Sequence, residues 1–189
     1  MATNARNNCI HAYKLRNIEI LNLVPGNKPG YYKWWAQKGE LQAILDKLDI
    51  SFCDVEEYLE ERNGWYCIYV GVAIKESVQA RLNWHVNQTH NPTNVQYGTL
   101  STFRQTISSV VGSNMLDTQS TNDFIDKLVV AYYACDFAIK SQEAKEHIRN
   151  IEKELLNSNT LYLLNIQDNH HKLAPRKKLT ALRKQARQI

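Results

Sequence analysis

The sequence predicts an α+β fold in which a small, mainly antiparallel sheet of three strands is flanked by helices. Three segments rich in aromatic or β-branched residues alternate with segments whose apolar residues recur at helical spacing. The chain has 189 residues, of which 43% are hydrophobic, and this length suits one compact domain with additions. We expect an N-terminal arm over residues 1–29, the main domain over 30–170 and a basic helical tail over 171–189.

The three predicted strands are bounded by turn formers or polar residues. The first, GYYKWWA at 30–36, follows a segment rich in proline and glycine, and the second, WYCIYVGVA at 65–73, follows an Asn-Gly turn. The third lies within residues 126–135, which contain the apolar run LVVAYYAC. Apolar residues at every third or fourth position predict the helices. In chain order these cover residues 12–24, 40–48, 78–88, 99–111, 142–156 and the tail from residue 176.

Composition excludes several classes of protein. No apolar run approaches the roughly 18 residues that a membrane-spanning helix needs. The first nine residues are polar and rich in asparagine, which disfavours a secretory signal. The four cysteines contain no C-x-x-C pair, so we interpret them as reduced thiols. These features predict a protein of the cytoplasm that does not span a membrane.

The charges are unevenly distributed, although the net charge is only +4. Residues 46–61 are strongly acidic, whereas the tail from residue 170 has seven Lys and Arg and no acidic residue. A basic helix favours a polyanionic partner, and the alternative is an ordinary solvated helix face. Arg104 lies at the start of a predicted helix. This helix start could bind a phosphate, and the alternative is that its residues only cap the helix. The candidate nucleic-acid contacts are Arg104, Arg176, Lys177 and Lys178.

A chemically distinctive set of residues lies on the first two predicted strands and the following helix. The first strand carries Gly30-Tyr31-Tyr32 and the second carries Tyr69-Val70-Gly71. Arg81 and His85 are four residues apart, so they share one face of their helix, at the edge of its apolar stripe. Each residue alone has an ordinary structural interpretation, and their joint occurrence in this order is the informative feature.

These motifs resemble those of the GIY-YIG nuclease superfamily, which has a Gly-x-Tyr strand, a Tyr-x-Gly strand and a helical Arg often followed by His. The family also has a metal-binding Glu and a late Asn. Residues 152–156 (EKELL) are similar to its Glu-x-x-Leu-Ile pattern, and residues 163–166 (LLNI) to its Leu-Asn segment. We therefore take Glu152 as the acid and Asn165 as the amide. Glu154 remains an alternative, since the apolar stripe of that helix leaves the two acids on opposite shoulders.

The resemblance implies metal-assisted hydrolysis of a DNA phosphodiester. Glu152 would hold a hydrated Mg²⁺ (or Mn²⁺), a hard cation that needs few protein ligands. Arg81 would bind a phosphate oxygen through its planar guanidinium. Tyr32 would act on the attacking water. The remaining site residues would orient groups or relay the proton: Tyr69, His85 and Asn165.

We interpret the chain as a restriction- or defence-type DNA endonuclease that carries only short additions. Because duplex cleavage needs two cuts, we expect a homodimer or a transient pair on the DNA. The rival hypothesis is a nucleic-acid-binding module that has lost its catalytic function. It rests on Val72, which occupies a position where many members have lysine, and on the long connection between the two tyrosine strands.

Overall fold

A computed structural model describes residues 9–112 and 114–188. The sheet has five strands, in which every neighbouring pair is antiparallel, in the order β1-β5-β2-β4-β3. The strands are β1 (Cys9–His11), β2 (Gly30–Gln37), β3 (Glu61–Arg62), β4 (Trp65–Ala73) and β5 (Val129–Ala134). The predicted α+β class and antiparallel sheet are confirmed, but the predicted number of three strands was wrong. The two extra strands, β1 and β3, are edge strands of three and two residues, too short to show an alternating pattern.

Helices cover both faces of this sheet. They are α1 (Ile18–Leu21), α2 (Lys38–Leu48), α3 (Phe52–Val55), α4 (Val78–Asn87), α5 (Pro92–Gln96), α6 (Thr102–Val111), α7 (Thr118–Asp126), α8 (Gln142–Leu156) and α9 (Arg176–Ala186). Short 3₁₀ turns occupy Ala12–Arg16 and Glu56–Tyr58, so the predicted helix over 12–24 is divided into a 3₁₀ turn and α1. Within the described ranges, no helix combines the length and apolar character required to cross a bilayer.

The larger hydrophobic core lies on one face of the sheet, beneath α2, α4 and α6. Its centre is Trp34, whose ring stacks on Phe103 with centroids 4.6 Å apart. The opposite face carries a smaller core in which Trp35 and Val70 pack with Tyr162. Alternation along β2 therefore sends adjacent tryptophans into different cores.

A β-bulge between β2 and β4 sets the face on which the second tyrosine lies. Trp34 pairs with Tyr69 and Trp35 pairs with Cys67, so Ile68 is the extra residue. Both Ile68 and Tyr69 consequently belong to the larger core. Tyr69 thus lies on the same face as its cross-strand partner Trp34.

Both ends of the described chain pack onto this central structure. β1 pairs with β5, and Leu15 and Leu21 are buried in the larger core. Arg16 forms an ion pair with Asp126 (Nε–Oδ1, 2.8 Å). At the other end, α9 packs against α6 and buries Leu179. The basic tail is therefore an integral helix.

Candidate active site

A cleft of about 250 Å³ lies beside β4, between α4 and α8. Its walls come from β2, β4, α4, α6, α8 and the segment after α8. The sequence-predicted catalytic and metal-binding residues all line it: Tyr32, Tyr69, Arg81, His85, Glu152 and Asn165. The structure thus brings together six side chains that the sequence distributes over most of the chain.

Tyr32 enters the cleft from β2 across a glycine of the neighbouring strand. It pairs directly with Gly71, and a Cβ at position 71 would lie 2.5 Å from Cζ of the tyrosine ring. Only glycine leaves the space that the ring occupies. Burial raises the pKa of Tyr32 well above its ordinary value, a shift that the nearby charge of Arg81 opposes. The phenol is therefore protonated at neutral pH.

His85 links Tyr32 to the start of α6. Its Nε2 lies 2.6 Å from Oη of Tyr32, and its Nδ1 lies 2.9 Å from Oγ of Ser101. Burial holds the pKa of His85 well below its ordinary value, and the charges of Arg81 and Arg104 lower it further. The imidazole is therefore neutral. Ser101 was not predicted as the partner of His85, because a helix-capping serine gives no indication of a distant histidine.

Tyr69 lines the cleft from β4 and packs on Phe103, with ring centroids 5.1 Å apart. Burial raises the pKa of Tyr69 to about 12, and the negative charge of Glu152 adds to this shift. The positive charges of Arg81 and Arg183 act in the opposite direction. This second phenol is thus also neutral, and Arg183 on α9 is close enough for its charge to affect the pKa of Tyr69.

Two residues that are not part of the predicted motif, Glu76 and Trp84, hold the side chain of Arg81. Its Nη2 forms an ion pair with Oε1 of Glu76 at 2.5 Å, and its guanidinium lies 4.8 Å from the ring centroid of Trp84. Its buried Nε has no hydrogen-bond partner in the described part of the chain. A guanidinium with five donors and one ionic partner retains the capacity to bind an anion. Glu76 was not predicted as a site residue, although it directly precedes Ser77, the N-cap of the helix that carries Arg81.

The structure separates the two candidate acids on α8. Glu152 is half-buried and lines the cleft, whereas Glu154 is exposed and lies outside it. Burial raises the pKa of Glu152, and Asp168 adds to the shift while Arg149 opposes it. Among the residues described, none forms an ion pair with Glu152. Of the two glutamates, Glu152 is therefore the one suited to hold a metal, because it is half-buried in the cleft and has no ion-pair partner among the described residues.

Asn165 forms a two-point contact with the backbone of β4. Its Nδ2 donates to the carbonyl of Val70 at 2.8 Å, and its Oδ1 accepts from the amide of Val70 at 2.9 Å. Since Val70 lies between Tyr69 and Gly71, the amide fixes the strand segment that forms the wall of the cleft. Asn169 in turn donates to the carbonyl of Asn165 at 3.1 Å.

The donor set fits a hydrated hard cation better than a structural transition-metal centre. No group of three or more His, Cys, Asp or Glu residues with metal-binding geometry occurs in the described ranges. The cleft instead offers the carboxylate of Glu152, with Asp168 also on its lining. One or two carboxylates with several waters is the arrangement that Mg²⁺ prefers.

The predicted nucleic-acid contacts divide into two groups. Arg104 is fully buried and donates to Nε2 of His90 at 2.9 Å and to the carbonyls of His85 and Val86. It therefore ties the end of α4 to α6, and its expected role as a surface phosphate contact was wrong. The three predicted residues that are exposed, at the start of α9, are Arg176, Lys177 and Lys178.

Tyrosines from adjacent strands meet a helical arginine and a carboxylate in one cleft, an arrangement that suits the catalytic domain of a nuclease. Comparison with family models gives the particular family. Residues 30–185 match the GIY-YIG catalytic domain, and the chain belongs to the GIY-YIG nuclease superfamily. A search of curated proteins and a search of solved structures found no match. Membership confirms the resemblance drawn from the sequence and indicates a nuclease acting on nucleic acid.

Proposed function

We propose that this protein is a metal-dependent endonuclease that hydrolyses DNA phosphodiester bonds in the cytoplasm, with a restriction or defence role. The observation that supports it best is the shared cleft of Tyr32, Arg81 and Glu152. Such a site needs a group to activate water, a cation to bind phosphate and a carboxylate to hold a metal. The three side chains supply one of each.

Glu152 would hold the Mg²⁺ or Mn²⁺. When bound, such a cation supplies positive charge that polarises the phosphate and lowers the pKa of nearby water. The carboxylate must be ionised for this role. Because burial raises the pKa of Glu152, protons compete with the metal at a higher pH than at an exposed glutamate.

Tyr32 and His85 would manage the proton of the attacking water. The 2.6 Å contact between Oη and Nε2 lets the phenol accept a proton from water while its own proton moves toward the imidazole. The pKa values of the resting site oppose this transfer, since burial favours the neutral form of both groups. The pair is therefore a neutral relay that needs a change in its surroundings before it acts.

Binding of the substrate phosphate to Arg81 would provide that change. Its charge is one of the causes that hold the pKa of His85 low. An anionic phosphate bound to Arg81 offsets this charge, so the proton affinity of the imidazole rises when substrate is present. Glu76, at 2.5 Å from Nη2, holds the guanidinium on one side and leaves its other nitrogens for the phosphate. Substrate binding and water activation are thereby coupled through one side chain.

The test is cleavage of plasmid DNA in Mg²⁺ by the wild type, Glu152→Gln and Tyr32→Phe. We expect Tyr32→Phe to lower the single-turnover rate at least about 100-fold, the range of a missing proton-transfer group. Glu152→Gln removes the proposed metal ligand and should lower the rate by at least as much. Glu154→Gln is the matched control, since it removes the same charge two residues away on the exposed face of α8. It should cut at the wild-type rate.

Two outcomes would contradict this function. A wild type that binds DNA but cuts neither DNA nor RNA in Mg²⁺ or Mn²⁺ would indicate the binding-only module instead. Cutting that survives both Glu152→Gln and Tyr32→Phe would place the chemistry elsewhere.

Because both strands of a duplex must be cut, we also propose that two copies act together. Rates that rise with the square of protein concentration below saturation would support this pairing.

A further inference from the structure

We propose that Arg183 of α9 and Arg187, the residue directly after this helix, form an anion site that binds a backbone phosphate of the nucleic acid beside the cleft. This inference rests on the proposed nuclease function and concerns how that cleft holds its substrate. The ligand is a phosphodiester group, recognised by its charge and its oxygen acceptors and not by base sequence.

One buried amide holds both guanidinium groups. Arg183 donates from Nη2 to Oε1 of Gln105 at 2.6 Å, and Nη2 of Arg187 donates to the same oxygen. Gln105 is only 3% exposed, and its Nε2 donates to the carbonyls of Gly98 at 3.1 Å and Leu100 at 2.5 Å. The amide of Gln105 is therefore held through both its nitrogen and its oxygen, and the two arginines share its Oε1 as one acceptor.

The pair lacks a compensating negative charge. Neither arginine has a carboxylate within ion-pair distance among residues 9–112 and 114–188. Burial lowers the pKa of Arg183, and the neighbouring charge of Arg187 lowers it further. Two like charges that share a neutral acceptor repel each other. A bound anion removes this repulsion, and each guanidinium keeps four of its five N–H groups for it.

Two connections place the pair next to the catalytic cleft. The charge of Arg183 acts on the phenol of Tyr69, which lines the cleft. Gln105 also lies one turn from Thr102 on α6, and Thr102 is part of the cleft wall. A strand whose scissile phosphate lies at Arg81 would therefore run past α6 with another phosphate at the arginine pair.

The measurement is fluorescence anisotropy of a labelled DNA duplex in EDTA, where hydrolysis is absent, for Arg183→Gln, Arg187→Gln and the double variant. We expect each single variant to bind about tenfold more weakly near 0.1 M salt, the effect of removing one charge-assisted hydrogen bond. The slope of log K against log salt should fall by about 0.9 for each phosphate that is no longer neutralised. Arg183→Lys, which keeps the charge but removes the planar fork, should fall between wild type and Arg183→Gln.

Lys47→Gln is the charge-matched control, because Lys47 is exposed on α2 within the acidic segment 46–61. It should leave affinity and salt slope unchanged, and thermal melting should show every variant folded. Wild-type affinity and slope in the double variant would overturn the arginine site even if the protein cleaves DNA. A wild type that binds through these arginines but cuts nothing would overturn the proposed hydrolysis and leave the phosphate site standing.

Discussion

Asn165→Ala should cost the protein much of its stability, because it leaves the buried N–H and C=O of Val70 without their side-chain partner. The asparagine amide makes two hydrogen bonds to Val70, at 2.8 and 2.9 Å, and Val70 is only 1% exposed. Leaving a buried backbone donor or acceptor unsatisfied costs about 1–3 kcal/mol. With two such groups, we expect a decrease of about 2–6 kcal/mol in the free energy of unfolding, a large share of the roughly 5–15 kcal/mol of a typical domain.

Urea denaturation followed by far-UV circular dichroism measures this decrease. Asn165→Asp should also destabilise the fold at neutral pH, since it keeps an acceptor for the Val70 amide but has no donor for the Val70 carbonyl. Asn150→Ala is the control, because Asn150 is exposed on α8, and its effect should stay within about 0.5 kcal/mol. If the free energy of unfolding of Asn165→Ala lies within about 0.5 kcal/mol of the wild-type value, the two-point contact does not hold β4 in place.

Two further predictions concern the tyrosine strand and the buried imidazole. Gly71→Ala should lower the free energy of unfolding by about 1–3 kcal/mol, because its Cβ would meet the Tyr32 ring. Gly39→Ala, in open space on α2, should instead raise it by about 0.5–1 kcal/mol, and equal urea midpoints would refute the contrast. The depressed pKa of His85 means that below about pH 6.5 the unfolded chain gains a proton that the folded chain does not. Stability should therefore fall with decreasing pH by up to about 1.4 kcal/mol per unit, and His85→Gln should flatten that slope in pH-dependent urea titrations.

The sequence predicted the central strands and α8 well because these elements are long enough to show a pattern. Helix α8 (Gln142–Leu156) has the predicted bounds, and β4 (Trp65–Ala73) also matches. The edge strands β1 and β3 were missed since two or three residues cannot show alternation, and their pairing depends on the neighbouring strand. The 3₁₀ turn at Ala12–Arg16 was missed for a similar reason, because its apolar spacing also fits an α-helix.

The candidate site was predictable where one element alone fixes a relation. Arg81 and His85 share a helix face in any sequence context, whereas the positions of Tyr32 and Gly71 opposite each other follow from a strand register that the sequence does not specify. The burial of Arg104 could not be predicted from local sequence patterns. Its guanidinium is buried by the loop residue His90 and by Asn122 of α7, and nothing near it in sequence indicates these partners.

In the proposed mechanism, the charge states in the cleft give substrate binding a part in activating the water. At rest the phenol of Tyr32 and the imidazole of His85 are both neutral, because burial opposes any charge on either. The charges of Arg81 and Arg104 further lower the pKa of the histidine, whereas those of Glu76 and Glu152 further raise the pKa of the tyrosine. Of these two arginines, Arg104 is fully buried and Arg81 lines the cleft, so Arg81 is the one that a phosphate in the cleft can reach. In the proposed mechanism, a phosphate bound at Arg81 would both position the substrate and raise the proton affinity of His85, because it would offset a charge that lowers the histidine pKa.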